Sequence, residues 1–431
     1  MCQMRVRVFY PLLAVIFSLT YARAQDVSYN AIYRVEGKPG ASGETYRSHV
    51  NIESLSNDES AVLAENGARL ILTSVRVNKT GGMLSSARLR EESGVNSAVL
   101  ATGGSDLLIE NPTLNVHVSE ADAVTSYGVG TTVTVQGGQF NMSRDKSTAL
   151  RVIGGGLLKA DKVVVSALGN QSPAVAACQE GSRAEITGMK GSTNGIGSPL
   201  FFSSGELTAT GCLMECGASQ ISTVEGRGKL TLSDCEFRGA NYCGFLLYSQ
   251  DGGREPGEAI LTMNSCRIST KGGPFFYATN TDARIRMEKN TISNGSKVFL
   301  CAQKDDWGTI GENGAKVTLQ AVKQKIEGDV IIDSISSVRI ELGKGSSLNG
   351  SVNPDGNPCA EARIHIAKGA SWNSRESSYI TSVEFEEPVA NGIKRIRSRN
   401  DIFYKADDPS NSRLEGKEYK LGGGGTLRPL R

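Results

Sequence analysis

The chain has 431 residues, with 47 Lys and Arg against 45 Asp and Glu, 50 Gly, 12 Pro and 9 Cys. A formal charge of +2 excludes a dedicated nucleic-acid binder, whose basic surface would stand well above background. Beyond the first residues no stretch approaches the roughly 18 apolar positions of a membrane helix, so no transmembrane segment is expected in the mature chain.

At the start, Arg5 and Arg7 precede a short, mostly apolar run from Val8 to Thr20. Ala22-Arg23-Ala24 then gives the small-x-small pattern of a signal-peptidase site. Residues 1–24 therefore read as a signal peptide, with Gln25 as the mature start and a secreted or extracytoplasmic location, at the cell surface or in the periplasm. Residues 25–58 are expected to form an N-terminal segment and cap, 59–382 the body of the fold, and 383–431 a set of C-terminal tail strands. Cys2 leaves with the signal, and the other eight cysteines permit disulfides in an exported chain without fixing a pairing.

From Leu70 onward one pattern recurs: apolar, x, apolar, x, x, small or apolar, x, apolar. Copies begin at Leu70, Leu107, Val133, Leu158, Ile186, Leu207, Leu230, Leu261, Ile285, Val317, Ile340 and Ile364. A second apolar segment precedes each copy, at Ala98, Ala123, Ala149, Ala174 and Leu200, advancing by 25, 26, 25 and 26 residues. Alternation of apolar and variable positions is the signature of a strand with one buried face. Gly, Asn and Ser between segments supply turns, and no unit carries a helical pattern long enough for a βαβ crossover. One coil cannot bury its own apolar face, but stacked coils build a continuous core. The expected fold is all-β, a right-handed single-stranded parallel β-helix of about 12 rungs on the order of 55–60 Å long.

Aligning the units creates columns of side chains. Cys212, Cys235, Cys266 and Asn290 take the same place in four successive units and read as an inward ladder at a tight corner, since no His or carboxylate shares the column. Phe202, Leu247, Tyr277 and Leu300 align in another column, adjacent to one assigned inward. They are expected to form an exposed apolar stripe and a candidate partner contact, unless the insertion Gln250–Glu258 or Gln303–Gly314 covers it.

Long ordered stretches then carry a resemblance. Gly273-Pro274-Phe275-Phe276-Tyr277-Ala278-Thr279-Asn280-Thr281 and Gly328-Asp329-Val330-Ile331-Ile332-Asp333-Ser334-Ile335-Ser336-Ser337 are the strongest. Ser371-Trp372, Ser378-Tyr379-Ile380-Thr381-Ser382, Ile402-Phe403-Tyr404 and Leu414-x-Gly416-Lys417-x-Tyr419-x-Leu421 add to them. Over roughly residues 45 to 430 the chain resembles secreted, adhesin-like right-handed parallel β-helix proteins, mostly bacterial and functionally uncharacterised. The resemblance implies a pectin-lyase-like topology and an extracytoplasmic place, and no catalytic residues. Autotransporter passengers share this architecture but continue into a membrane barrel. No such segment follows the repeats in this sequence, so self-secretion is not expected.

Enzymes of this architecture use clustered carboxylates or acidic calcium ligands. Here His49, His117 and His365 fall on separate units, and the pairs Asp305-Asp306 and Asp407-Asp408 lie in an insertion and in the tail. Both pairs read as solvated turn residues. Gly422 to Gly425 has no Lys-Ser or Lys-Thr after it and reads as a turn before a last strand, and Lys394 to Arg399 as a solvent-facing strand. No catalytic, cofactor-binding or metal residue is assigned. The expected function is that of an exported, non-catalytic, adhesin-like β-helix that holds a surface glycan or a protein, with no nucleic-acid partner. A polysaccharide lyase or glycoside hydrolase is the alternative, and acidic or basic side chains converging on adjacent rungs would favour it.

Overall fold

The computed structural model describes residues 27–37, 43–250, 258–358 and 360–430, and the expected signal peptide lies outside them. Within them the alternation resolves into coils of three short strands. Val124–Tyr127, Thr132–Gln136 and Gln139–Met142 make one coil, and Leu150–Ile153, Leu157–Asp161 and Val164–Ala167 the next. Each strand pairs in parallel with its counterpart one coil away.

Repetition generates three sheets. Sheet A has 12 strands from Asn30–Glu36 to Asp329–Ile332, sheet B has 14 from Thr45–Ser48 to Ser382–Phe385, and sheet C has 10 from Asn51–Ser54 to Thr291–Asn294. The protein is thus an all-β parallel solenoid. The 12 repeats read from the sequence are the middle strands of sheet B, which adds Thr45–Ser48 before them and Ser382–Phe385 after them. Each end strand has a strand partner on one side only, and Ser382–Phe385 is covered on the other by the 3-10 turn Pro409–Leu414, where the Val383 N–H donates to Asn411.

Two residues separate sheets B and C in most coils, and the first of them takes a left-handed conformation. Gly137 has φ 66°, and Lys162, Asp234, Ser265 and Lys289 adopt φ of 53–54° without being glycine. The latter each cost roughly 1–2 kcal/mol, which stacking must offset. The second corner residue points inward, and this places Cys212, Cys235, Cys266 and Asn290 in one buried column, as the alignment predicts.

The core is aliphatic along most of its length and aromatic in the middle. Phe245, Phe275, Phe276 and Phe299 are fully buried, with Phe275 stacked on Phe299 at 5.4 Å between ring centroids. Each such side chain contributes roughly 1.5–3 kcal/mol by leaving water. On the outward face of sheet C, Asn51, Asn78, Asn115 and Asn141 pass amide hydrogen bonds of 2.8–2.9 Å from coil to coil.

Near the C-terminus sheet C gives way to a four-stranded sheet formed by Lys325–Glu327, Ser347–Asn349, Ser371–Ser374 and Ile396–Ser398. The basic run divides there: Lys394 and Arg395 lie in a 3-10 turn, and the strand begins at Ile396. A second small sheet closes this end, where Tyr419–Lys420 runs antiparallel to Thr426–Pro429 across the turn that contains Gly422 to Gly425. Trp372 of the first of these sheets and Tyr404 of the second are fully buried.

Candidate functional site

Sheet A carries the aromatic column, but its register departs from the alignment. Phe202 pairs with Thr223, Thr223 with Leu246, Leu246 with Tyr277, and Tyr277 with Cys301. Of the expected stripe, only Phe202 and Tyr277 stand in this outward column. Leu247 and Leu300 lie one position away and are fully buried in the main core. The coil Ser222–Glu225, poor in large apolar residues, lies between Phe202 and Leu246 and hid the register. An irregularity between Val298 and Leu300 shifts the next strand and turns both Phe299 and Leu300 inward. A shift of one residue exchanges the faces of a strand.

The true outward column is covered as well. Leu246, Tyr248, Tyr277, Cys243 and Cys301 form a second apolar cluster, with Trp307 of the insertion packed against it. The Trp307 ring lies 4.9 Å from that of Tyr248, and the Tyr277 hydroxyl donates to Asp305. Burial, then the neighbouring charge of Asp305, pushes the Tyr277 phenol well above its ordinary range. Asp305 is therefore an anchor of the insertion rather than a solvated turn residue. Phe202 remains half-buried.

Towards the N-terminus a second insertion covers sheet A. Its helix, Ala87–Ser93, ends at Gly94, whose φ of 72° lets its N–H reach the Arg90 carbonyl. Arg90 and Arg151 converge on the fully buried Asp122, at 2.6 and 3.2 Å, and Glu91 pairs with both arginines. Burial alone would raise the Asp122 carboxyl, but the two guanidiniums outweigh it and hold it below its usual value. This network pins the helix to the solenoid.

The seven described cysteines are free thiols, all of them buried. Hydrogen bonding to Cys235, then burial, pushes the Cys266 thiol up, which leaves it protonated and inert. Cys359 lies outside the described residues. Among the described residues no three His, Cys, Asp or Glu side chains come together as a metal site.

The open polar ground lies on the outward face of sheet B, near its C-terminal end. Strands lengthen there: Thr281–Glu288 and Ala315–Val322 have eight residues each, where earlier ones such as Lys229–Ser233 have five. Two outward columns result. One holds Asp282, Lys316, Ser337 and Glu361, and the other holds Arg284, Thr318, Arg339 and Arg363. Neighbours within a column are about 4.8 Å apart. Of these residues all but Arg284, together with Glu258, line a cavity of about 200 Å³.

The rim is braced. Arg284 pairs with Glu258 at 3.1 Å, and Arg339 with Glu341 at 2.9 Å. Arg363 grips Asp408 through two bonds of 3.1 and 2.9 Å, while Asp408 also caps the 3-10 turn that begins at Pro409. The hydrogen bonds from Arg363 hold the Asp408 carboxyl below its ordinary value. Asp408 is thus part of this wall and not a free turn residue. The floor is different: Lys316, Thr318, Ser337 and Glu361 point outward, and among the described residues no side-chain hydrogen bond or ion pair engages them. His365 stands in the next column between Glu341 and Glu384. Sequence reasoning missed this site because its members come from five coils and the tail. The available signal was the alternation Asp282-x-Arg284-x-Arg286-x-Glu288, in which Arg286 stands where the three preceding coils carry Thr262, Thr231 and Thr208.

No family model, no curated protein and no solved structure matches the chain. Among the described residues no helix is long and apolar enough to cross a membrane.

Proposed function

We propose that this protein is an exported β-solenoid that holds a surface partner in the sheet B cleft without transforming it. The observation that carries this reading is the contrast between a rim fixed by ion pairs and a floor of donors and acceptors that, among the described residues, have no side-chain partner. Such a surface is preorganised, so a ligand would order little of it on binding. The likeness to adhesin-like β-helix proteins and the leader-like residues 1–24 support the exported, surface-directed part of the proposal.

A second reading, cleavage of a polysaccharide, draws on the acidic and basic groups that meet on adjacent coils, Asp282 beside Lys316 above all. It is weaker for hydrolysis. Asp282 and Glu361 are three coils apart, about 14 Å between backbones, against the roughly 6.5–9.5 Å of an inverting carboxylate pair. Glu258, nearer to Asp282, is held by Arg284. A glycan-array screen of the mature chain, with captured glycans then incubated with excess protein and sized by chromatography, tests both readings. Retention with unchanged length supports binding, shortening supports the enzyme, and no retention on any glycan removes the glycan form of the proposal.

A further inference from the structure

We infer that Cys212 and Cys235 become joined by a disulfide as the exported chain folds, stapling two successive coils from inside; this rests on the exported half of the reading above and is independent of the cleft. Register brings the two together. Thr210 pairs with Ser233 before the corner and Leu213 with Glu236 after it, and the Glu236 N–H donates to the Cys212 carbonyl at 2.8 Å. Facing residues of adjacent coils lie about 4.8 Å apart, within the roughly 4.4–6.8 Å between Cα atoms that a disulfide spans. Both side chains point inward and are only 1 and 2% exposed.

Cys235 has a thiol on each side, since Cys266 takes the same place one coil further on, and two features select Cys212. First, the Cys235 sulfur leans toward the earlier coil, where it lies 3.5 Å from the carbonyl of Ala209 in the strand that leads into Cys212. The Cys266 thiol turns to its own coil and donates to the Asn264 carbonyl at 3.4 Å, while its backbone N–H is held by Asn290. Second, the chain emerges N-terminus first, so Cys212 and Cys235 meet before Cys266 arrives. The hydrogen bond from Cys235 holds the Cys212 thiol below its ordinary value, and the same bond pushes Cys235 up to about 12. Cys212 is therefore the attacking thiolate.

The oxidant is a small disulfide such as glutathione disulfide. The Cys212 thiolate attacks one of its sulfurs, forms a mixed disulfide and expels one glutathione thiolate, which takes up the Cys235 proton. Cys235 then attacks the Cys212 sulfur and expels the second glutathione. Two thiols of the chain are oxidised, and one glutathione disulfide is reduced to two glutathiones. The finished corner is closed to solvent, so the exchange belongs to folding, before the next coil seals the column. The loop that the bond closes contains the sheet A strand Ser222–Glu225, which brings little apolar side chain to the core. A cross-link there removes chain entropy from the unfolded state where burial contributes little.

The test is peptide mapping of the whole mature chain, reduced in denaturant, refolded in glutathione redox buffer and alkylated in urea without reductant. Combined trypsin and chymotrypsin digestion separates Cys212 from Cys216 at Leu213. The expected result is a linked pair of peptides bearing Cys212 and Cys235, with Cys266 alkylated. The same link should form in Cys266→Ala and be lost in Cys235→Ala, and reductant during refolding should lower the melting temperature of wild type but not of Cys235→Ala. Alkylation of both Cys212 and Cys235 in refolded wild type, or a link from Cys235 to Cys266 in its place, would overturn the pairing. So would a chain secreted on its own residues 1–24 with both thiols alkylated. A link formed on refolding in a chain that the host retains would sink the exported reading and leave the pairing standing.

Discussion

Sheets A and B run along the same solenoid and are built from the same coils, yet their outward faces have opposite fates. Sheet A carries apolar and aromatic side chains outward, and two insertions close over them, one through the Arg90–Asp122–Arg151 network and one through Trp307 and Asp305. Sheet B carries Thr, Arg, Lys and carboxylates outward, and among the described residues the tail residue Asp408 reaches over its edge. The contrast teaches that outward apolar residues on a solenoid are first of all docking ground for the chain's own insertions. An outward polar lattice needs no cover and stays available.

The comparison breaks most sharply at Asp122. Replacing it with Ala leaves two buried guanidiniums without their shared carboxylate and should destabilise by about 3–5 kcal/mol in urea unfolding. A loss under about 1 kcal/mol would mean that the helix Ala87–Ser93 is not pinned by this network. Acid should act in the same direction. The folded-state carboxyl is held below its usual value, so its contribution is complete above the unfolded carboxylate range and fades as pH falls through the lower folded value. In Asp122→Ala that part of the acid sensitivity should disappear.

Register comes next. Leu247→Ala should cost about 2–4 kcal/mol, as an inward core residue does, while Phe202→Ala should cost about 1 kcal/mol. Equal small losses at both would restore the exposed stripe and refute the pairing of Leu246 with Tyr277.

Lys79 offers a third check, at the first coils. It is fully buried at an inward position of sheet C, bonded to Ser54 and to the Ser56 carbonyl. Burial lowers its ammonium to about 8 from 10.5, against the opposing pull of Glu59 and Asp58. Between those values the unfolded chain binds more protons, so stability should rise with pH across this window. Lys79→Met should remove the rise and add about 1–2 kcal/mol at neutral pH. Melting temperatures that do not change from pH 8 to 10.5 in wild type would contradict the burial of this amine.

The smallest effect on stability belongs to the open face. Lys316→Met should change unfolding by less than about 0.5 kcal/mol, while a substitution under the Trp307 strap, such as Tyr248→Ala, should cost several times more. A large loss in Lys316→Met would make the cleft floor a structural element rather than a binding surface.

Much of this was legible in the sequence for a physical reason: one face of each strand is buried, so the alternation had to recur. In sheet B the alignment slipped by two residues at Ile186 and at Val317, where Ala184 pairs with Leu207 and Leu319 with Ile285. A slip of two keeps the same face inward, so the assignment of buried positions was unharmed. In sheet A a slip of one at Leu247 and Leu300 reversed it. The corner column of Cys212, Cys235, Cys266 and Asn290 was readable because each member sits at a fixed offset from its strand. Asp305 and Asp408 were not, since a carboxylate in a loop looks the same whether it faces water or a tyrosine or arginine from a distant coil.

The sequence by itself determined the period, the class of fold and the inward residues of most coils, because burial against neighbouring coils imposes a local pattern. Only the tertiary structure decided which outward faces are sealed and which are open. That choice depends on where two insertions and a tail fold back, through ion pairs and ring contacts between residues up to 60 positions apart, as Glu91 and Arg151 are. No local periodicity records contacts of that kind.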